Sequence, residues 1–221
     1  MTSQPPTEDK GSLKGPSGSV DATVLRRILE AIGKPPRTIY YPAEDSLLML
    51  DAISDVPLEG KQVLDLGTGS GILGIFCAVR RATVTIADID EDALRHAVRA
   101  AESLELKVRP IVSDLFSNVR ERFDMILFNP PYLPSTKIDD RTVNGGARGL
   151  SLIRRFLREL PGYLKERGAA FLLLSSLNEP ETLVAEHPRF HFSIVARRAL
   201  FFEELQVLRL LLRRDSAPPR T

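Results

Sequence analysis

Asn129-Pro130-Pro131-Tyr132 follows an apolar run, Phe123 to Phe128, and sets a side-chain amide and a phenol ring around two prolines. Proline has no backbone donor and a fixed φ, so Pro130 and Pro131 cannot continue a sheet. They make a rigid turn that presents Asn129 and Tyr132 at the strand tip. A planar NH2 group has two donor hydrogens and an electron pair delocalised into its neighbour. The side-chain oxygen of Asn129 can accept one hydrogen and the carbonyl of Pro130 the other, while Tyr132 stacks on the flat group. Held in this way, a weakly nucleophilic nitrogen is oriented toward an electrophile, and orientation alone can contribute ~7–11 kcal/mol. Taken alone, the four residues are also compatible with a plain tight turn, and their surroundings decide.

The second constellation is Asp65-Leu66-Gly67-Thr68-Gly69-Ser70-Gly71, between a short apolar strand and a helical pattern. Glycines there let a ligand approach the backbone, and in a doubly wound sheet such a loop lies at the carboxyl edge, where ligands bind. A dinucleotide site wants G-x-G-x-x-G with pyrophosphate on the helix amides. This loop is G-x-G-x-G, and Asp65 suits a cationic amino group better than pyrophosphate. No G-x-x-x-x-G-K-[ST] occurs. Asp88 ends the next strand, where a carboxylate can accept both hydrogen bonds of a ribose diol. Asp114 follows the third, placed to accept from an adenine amino group while Leu115 packs on the ring. One such acid is ordinary at a solvated strand end; three ending successive strands at the ligand edge point to S-adenosylmethionine rather than NAD. The sulfonium methyl of that cofactor is the electrophile that a nitrogen held by Asn129 would meet.

The remaining chemistry-bearing residues are quiet. Cys77, the one cysteine, reads as a small apolar residue of Ile72-Leu73-Gly74-Ile75-Phe76-Cys77-Ala78-Val79 rather than a nucleophile, and alone it can form neither an internal disulfide nor a multi-cysteine zinc cluster. His96, His187 and His191 have no ligand spacing. The stretch from Leu133 to Leu150 is long and polar, with Lys137, Asp139, Asp140, Arg141 and Arg148, and its length suits a lid over a substrate. Thirty Lys and Arg against 29 Asp and Glu leave a net charge of +1, which advertises no polyanionic partner. No apolar run approaches the ~20 residues of a bilayer span, and the N-terminus lacks the apolar core of a signal peptide. These features predict a cytoplasmic protein.

The chain has 221 residues, 43% hydrophobic and 27% charged, enough for one α/β domain. Met1 to about Ser19 is rich in Pro, Gly, Ser, Thr and Lys and reads as a disordered tail; Asp215 to Thr221 reads as a flexible end. Asp21 is placed to cap a helix with Val24, Leu25, Ile28, Leu29 and Ile32 on one face, ended by Pro35-Pro36. A second helix runs from Leu47 to Ile53. Strands are predicted at Gln62–Leu66, Thr83–Ala87, Val108–Val112, Phe123–Phe128 and Ala169–Leu174. Helices fall at Ile72–Val79, Glu91–Leu104, Leu150–Leu164 (interrupted late by Pro161) and Glu179–Glu186. Strands alternating with helices mean a parallel sheet covered on both faces. Phe190–Ala196 and Leu205–Leu212 are joined by too short a connector for a parallel crossover, so they should form an antiparallel hairpin. In the usual 3-2-1-4 order the first and fourth strands are neighbours, which sets the glycine loop ~5 Å from Asn129.

With Pro42-Ala43-Glu44-Asp45-Ser46, Asp88-Ile89-Asp90, Ser113-Asp114-Leu115 and Gly145-Gly146-Ala147-Arg148-Gly149 beside the two constellations, the chain resembles the HemK/PrmC-type protein-glutamine N-methyltransferases over roughly Tyr40 to Leu212. It is most similar to their eukaryotic and archaeal branch, which modifies class 1 release factors. The helical substrate-binding domain that precedes the catalytic domain in the bacterial branch has no counterpart before Tyr40. The resemblance implies a single Rossmann-like class I methyltransferase domain over 20–214, with a mostly parallel seven-stranded sheet and a C-terminal antiparallel hairpin. It implies S-adenosylmethionine contacts from Ser46, Asp65, Gly67, Thr68, Gly69, Gly71, Asp88, Asp114, Leu115 and Asn129, and a target amide held by Asn129 and the Pro130 carbonyl beside Tyr132. Ser46 stands where the family commonly has threonine, and the hydroxyl is retained. The implied substrate is the glutamine of a Gly-Gly-Gln loop in a translation termination factor. The implied partner is a small zinc-binding activator pairing along the third strand, 107–112, where Pro110 is tolerated because an edge strand needs donors on one side only.

Two other functions fit parts of the pattern. The Asn-Pro-Pro-Tyr turn also suits an exocyclic amine, so a DNA or RNA adenine methyltransferase is the competing enzyme; relatives that methylate lysine widen the choice. Base-modifying enzymes must extract a base and grip the strand, and a chain of charge +1 with no Trp has little to do so with. A silent binding subunit on the same fold would not need Asn129, Tyr132 and the glycine loop together.

Overall fold

The computed structural model describes residues 20–36, 38–131 and 147–213. The chain opens with two helices, α1 (Ala22–Ile32) and α2 (Glu44–Ile53). Asp21 caps α1 as expected, accepting from the amides of Thr23 and Val24. The helix stops at Gly33, before the two prolines. α2 begins three residues earlier than its apolar pattern suggests, because Glu44 and Asp45 occupy its first turn, where carboxylates meet the positive end of the helix dipole.

Seven strands then build one sheet in the order β3-β2-β1-β4-β5-β7-β6. They are β1 (Gln62–Leu66), β2 (Thr83–Asp88), β3 (Val108–Val112), β4 (Phe123–Phe128), β5 (Leu164–Ser175), β6 (Phe190–Ala199) and β7 (Glu204–Leu212). The first five are parallel; β7 runs antiparallel to β5, and β6 to β7. Successive side chains of a strand face opposite ways, so each central strand feeds two cores. Val63, Val84, Ile86, Met125, Leu127 and Phe171 face α1, α2, α3 (Ile72–Val79) and α4 (Glu91–Ser103). Leu64, Leu66, Ile126, Phe128, Ala170 and Leu172 face the other way, onto α5 (Ala147–Glu159) and α6 (Pro180–Glu186). The result is the expected three-layer α/β sandwich.

The main departure lies between α5 and β5. The helix expected to reach Leu164 ends at Glu159 and tightens into a 3₁₀ turn, Leu160–Gly162, because Pro161 cannot donate within a helix. β5 then starts at Leu164, five residues before the predicted Ala169. Its register against β4 shifts between Phe123 and Met125, so extra residues are absorbed in a bulge. Gly168 sits there: a Cβ on it would lie 2.8 Å from the Phe123 carbonyl oxygen. The last hairpin is also longer than predicted, with β6 reaching Ala199.

Among the described residues no helix is long and apolar enough to cross a membrane, and no cluster of three or more His, Cys, Asp or Glu could hold a metal ion. The terminal segments 1–19 and 215–221, Tyr132, and residues 133–146 of the expected lid lie outside the described residues.

Candidate active site

β1 and β4 pair in parallel, with Leu66 opposite Phe128, so the glycine loop and Asn129 leave adjacent strands at one sheet edge. The loop is clipped to β2: the amides of Gly67 and Thr68 both donate to the Ala87 carbonyl, at 2.8 and 3.1 Å. Gly67, Gly69 and Gly71 all have positive φ. Only Gly71 is forced by crowding as well: at φ 87° its Cβ would lie 2.6 Å from the Ala97 Cβ of α4. The turn thereby starts α3 at a glycine that has no side chain to cap it.

Asp65 lies at the floor of this loop, 1% exposed. Its Oδ2 accepts from Thr68 Oγ1 at 2.6 Å and from the Gly74 amide at 2.9 Å. Burial pushes its carboxyl up to about 6, against the lowering effect of those two donors, and the nearby Asp88 adds to the rise. Such a carboxylate is poised to gain from a cation. Asp88, at the end of β2, accepts from the Gly69 amide through Oδ2 and from the Asp90 amide through Oδ1, both at 2.9 Å. Burial raises it too. The two acids expected at the ends of β1 and β2 thus face one loop.

Asp114 and Leu115 behave differently from each other. Leu115 is buried at φ 49°, but Asp114 is exposed and its Oδ1 is held by the Arg155 guanidinium of α5. The carboxylate expected to meet a ligand therefore already has an arginine partner, whose only sign in the sequence is a basic residue in α5.

Asn129 carries the main discovery of the geometry. Its Nδ2 donates to Asp45 Oδ2 at 2.8 Å, across 84 residues of sequence. A carboxylate only accepts, so the amide nitrogen must face Asp45 and the oxygen must face away. That Oδ1 is buried and has no hydrogen-bond partner among the described residues. Asp45 is itself 2% exposed, and its other oxygen takes the Tyr40 hydroxyl at 2.9 Å and the Ser46 amide at 2.7 Å. Ser46 Oγ lies 3.4 Å from the same oxygen. The sequence does not mark Asp45 as a site residue, because a carboxylate in a first helical turn has an ordinary explanation; only the tertiary contact reveals its role. Pro130 is buried beside Asn129. Cys77 packs in the core, its thiol pushed up by burial and by Asp65.

The sequence and the fold resemble those of known proteins. Residues 44–199 match the family model described as the methyltransferase small domain. A provisionally named protein N5-glutamine methyltransferase of Methanocaldococcus jannaschii is 41% identical over 179 residues, 77% of this chain and 90% of that protein. The chain belongs to this methyltransferase family, among its HemK/PrmC-type members. The mouse methyltransferase HEMK2 is 31% identical over 163 residues, 66% of this chain and 76% of its own. Among solved structures, the Mtq2 chain of the E. cuniculi Mtq2-Trm112 complex, described as responsible for methylation of the eRF1 translation termination factor, superposes with TM-score 0.65. It is 27% identical, over 80% of this chain and 99% of that one. This methyltransferase is therefore an S-adenosylmethionine-dependent enzyme.

The residues present fit that cofactor. Asp65 is a desolvated carboxylate with no ion-pair partner among the described residues, Asp88 stands one strand over, and the loop between them carries no Cβ at Gly67 or Gly69. When bound, S-adenosylmethionine supplies an activated methyl group on a cationic sulfur.

Proposed function

We propose that this methyltransferase transfers the methyl group to the side-chain nitrogen of a glutamine, in the Gly-Gly-Gln loop of a class 1 translation release factor. The observation that carries the proposal is the buried, unpartnered Oδ1 of Asn129, held in orientation by Asp45. Leaving a buried acceptor unmade costs ~1–3 kcal/mol, a cost relieved when a substrate NH2 donates to it. The Pro130 carbonyl takes the second hydrogen in this reading. A primary amide presents those two hydrogens in one plane, and fixing both leaves the nitrogen face toward the neighbouring loop. Tyr132 stacks on the amide plane.

The cofactor is assigned to Asp65 for its amino group, Asp88 for the ribose hydroxyls, Leu115 and Asp114 for the adenine, and Ser46, Gly67, Thr68, Gly69, Gly71 and Asn129 around the methionyl chain. The choice of a protein glutamine draws on relatives named as glutamine methyltransferases and on the neighbour whose complex acts on a termination factor. The same neighbour was solved as a complex with a second protein, Trm112, which supports a partner subunit; we place it on β3 as a small, zinc-binding activator. That strand is a sheet edge, with Val112 48% exposed and Pro110 opposite Ile86. The site of action is the cytoplasm.

The test uses the full chain, with any subunit that co-purifies from its native cell, and S-adenosylmethionine labelled in its methyl group. Offered the termination factor and, separately, total nucleic acid, the enzyme should label the factor at the Gly-Gly-Gln glutamine, read by peptide mass spectrometry. Asn129→Ala should lower the rate ~10²–10³-fold. Label in nucleic acid alone, or an unchanged rate in the variant, refutes the assignment.

A further inference from the structure

The turn of the C-terminal hairpin carries Phe201 and Phe202, 92% and 85% exposed, the two most exposed large apolar side chains among the described residues. Their rings stack edge to face, 4.6 Å between centroids at 84°. Together they offer roughly 300–400 Å² of aromatic surface, which a solvated turn does not need and which is costly to leave in water.

The sheet places this pair at the catalytic edge. Phe128, the last residue of β4, lies opposite Leu172 of β5, and β5 continues to Ser175, opposite Leu205 of β7. β7 is antiparallel, so its beginning, and the turn before it, lie at the edge where the parallel strands end. Two strand spacings separate β4 from β7, ~10 Å, and the turn rises ~10–15 Å beyond the level of Asn129. The hairpin is held firmly there. The Leu200 amide donates to the Glu203 carbonyl at 2.8 Å, and the Glu204 amide to Ser176 Oγ at 3.1 Å. Arg198, at the end of β6, binds Glu44 and Asp51 of α2. α2 is also the helix whose Asp45 orients Asn129, so the aromatic tip and the amide site are braced against one element.

We infer that Phe201 and Phe202 dock the folded protein substrate, gripping apolar surface beside the glutamine loop while Asn129 receives the amide. The inference rests on the proposed reading of the site as a protein-glutamine methyltransferase. Three observations select this occupant. The tip stands on the same edge as the site, two strands away, and projects beyond it. A rigid aromatic pair is the kind of anchor that carries interface energy at small entropic cost. β3, the edge proposed above for a partner subunit, is the opposite end of the seven-stranded sheet from β6, so a subunit seated there leaves the hairpin uncovered.

The test is the double variant Phe201→Ser with Phe202→Ser, in the full chain with its co-purifying subunit. The substrates are the intact termination factor and a short peptide of its Gly-Gly-Gln loop. Both residues are exposed, so the variant folds, which its melting curve checks. KM for the intact factor should rise ~10-fold or more, with kcat within about twofold. KM for the peptide, which does not reach the hairpin, should stay put. An unmoved KM for the factor, or an equal rise for the peptide, overturns the docking role. So does a wild-type chain that sediments as a dimer and a variant that sediments as a monomer, since the pair would then join two copies. Wild-type enzyme that leaves the glutamine of the factor unmodified sinks the glutamine reading, and the docking role with it; wild-type activity with an unmoved KM sinks the docking role alone.

Discussion

Asp65→Asn should make this enzyme more stable and less able to bind its cofactor, and the gain should depend on pH in a defined direction. Burial raises the Asp65 carboxyl from an ordinary 3.8 to about 6. Between those values the folded chain holds a proton that the unfolded chain has released. The folded state therefore binds more protons, and stability falls as pH rises through about 4 to 6, then levels off. The difference of ~2 pH units corresponds to ~3 kcal/mol withheld from the folded state at neutral pH. Asparagine keeps an acceptor for Thr68 Oγ1 and the Gly74 amide and carries no charge. Its advantage should be near zero at pH 4 and reach at most ~3 kcal/mol at pH 7.5, less whatever its new NH2 loses for want of an acceptor. Reversible urea unfolding without cofactor, wild type against variant at pH 4.5, 6 and 7.5, reads the difference directly and cancels the other carboxylates. Calorimetric titration with S-adenosylmethionine supplies the second arm. Wild-type affinity should climb through pH 6 as Asp65 ionises to meet the amino group, and the variant should bind weakly at every pH. A stability difference that is flat with pH, or a wild-type affinity that does not change between pH 5 and 7.5, would refute the reasoning.

Other substitutions probe the rest of the frame. Asp45→Ala removes the acceptor that fixes the Asn129 amide, so kcat should fall ~10–100-fold while cofactor affinity measured by calorimetry holds; undiminished kcat would show that Asn129 needs no such partner. Arg198→Ala takes away the guanidinium, 19% exposed, that binds Glu44 and Asp51; a loss of ~2 kcal/mol in urea unfolding is expected. Gly71→Ala drives a Cβ to 2.6 Å from Ala97 at a left-handed φ, and should cost ~2–4 kcal/mol and weaken cofactor binding together.

What the sequence revealed, and what it hid, divide along a physical line. The central strands β1 and β4 are buried on both faces, so each reads as an apolar run between turn residues and falls where the pattern puts it. The glycine loop is legible because positive φ and close approach are local demands that only glycine meets cheaply. Asn129 and Pro130 are legible because proline announces the end of a strand. The α5–β5 junction is misread where the outcome is tertiary: Pro161 marks a break, but whether the chain resumes as helix or strand depends on the bulge against β4 that Gly168 permits. Asp45 and Asp114 show the same limit in the site. Both are acids near the start or end of an element, and sequence alone assigns neither a partner. In the fold, one meets an asparagine 84 residues away and the other an arginine 41 residues away. The first pairing turns a helix-start carboxylate into the group that aims the Asn129 oxygen. The second engages the carboxylate proposed for the adenine with an arginine that a ligand there would have to share or displace. A motif therefore specifies which groups reach the site, while long-range pairs such as Asp45–Asn129 decide which atom each group shows to the substrate.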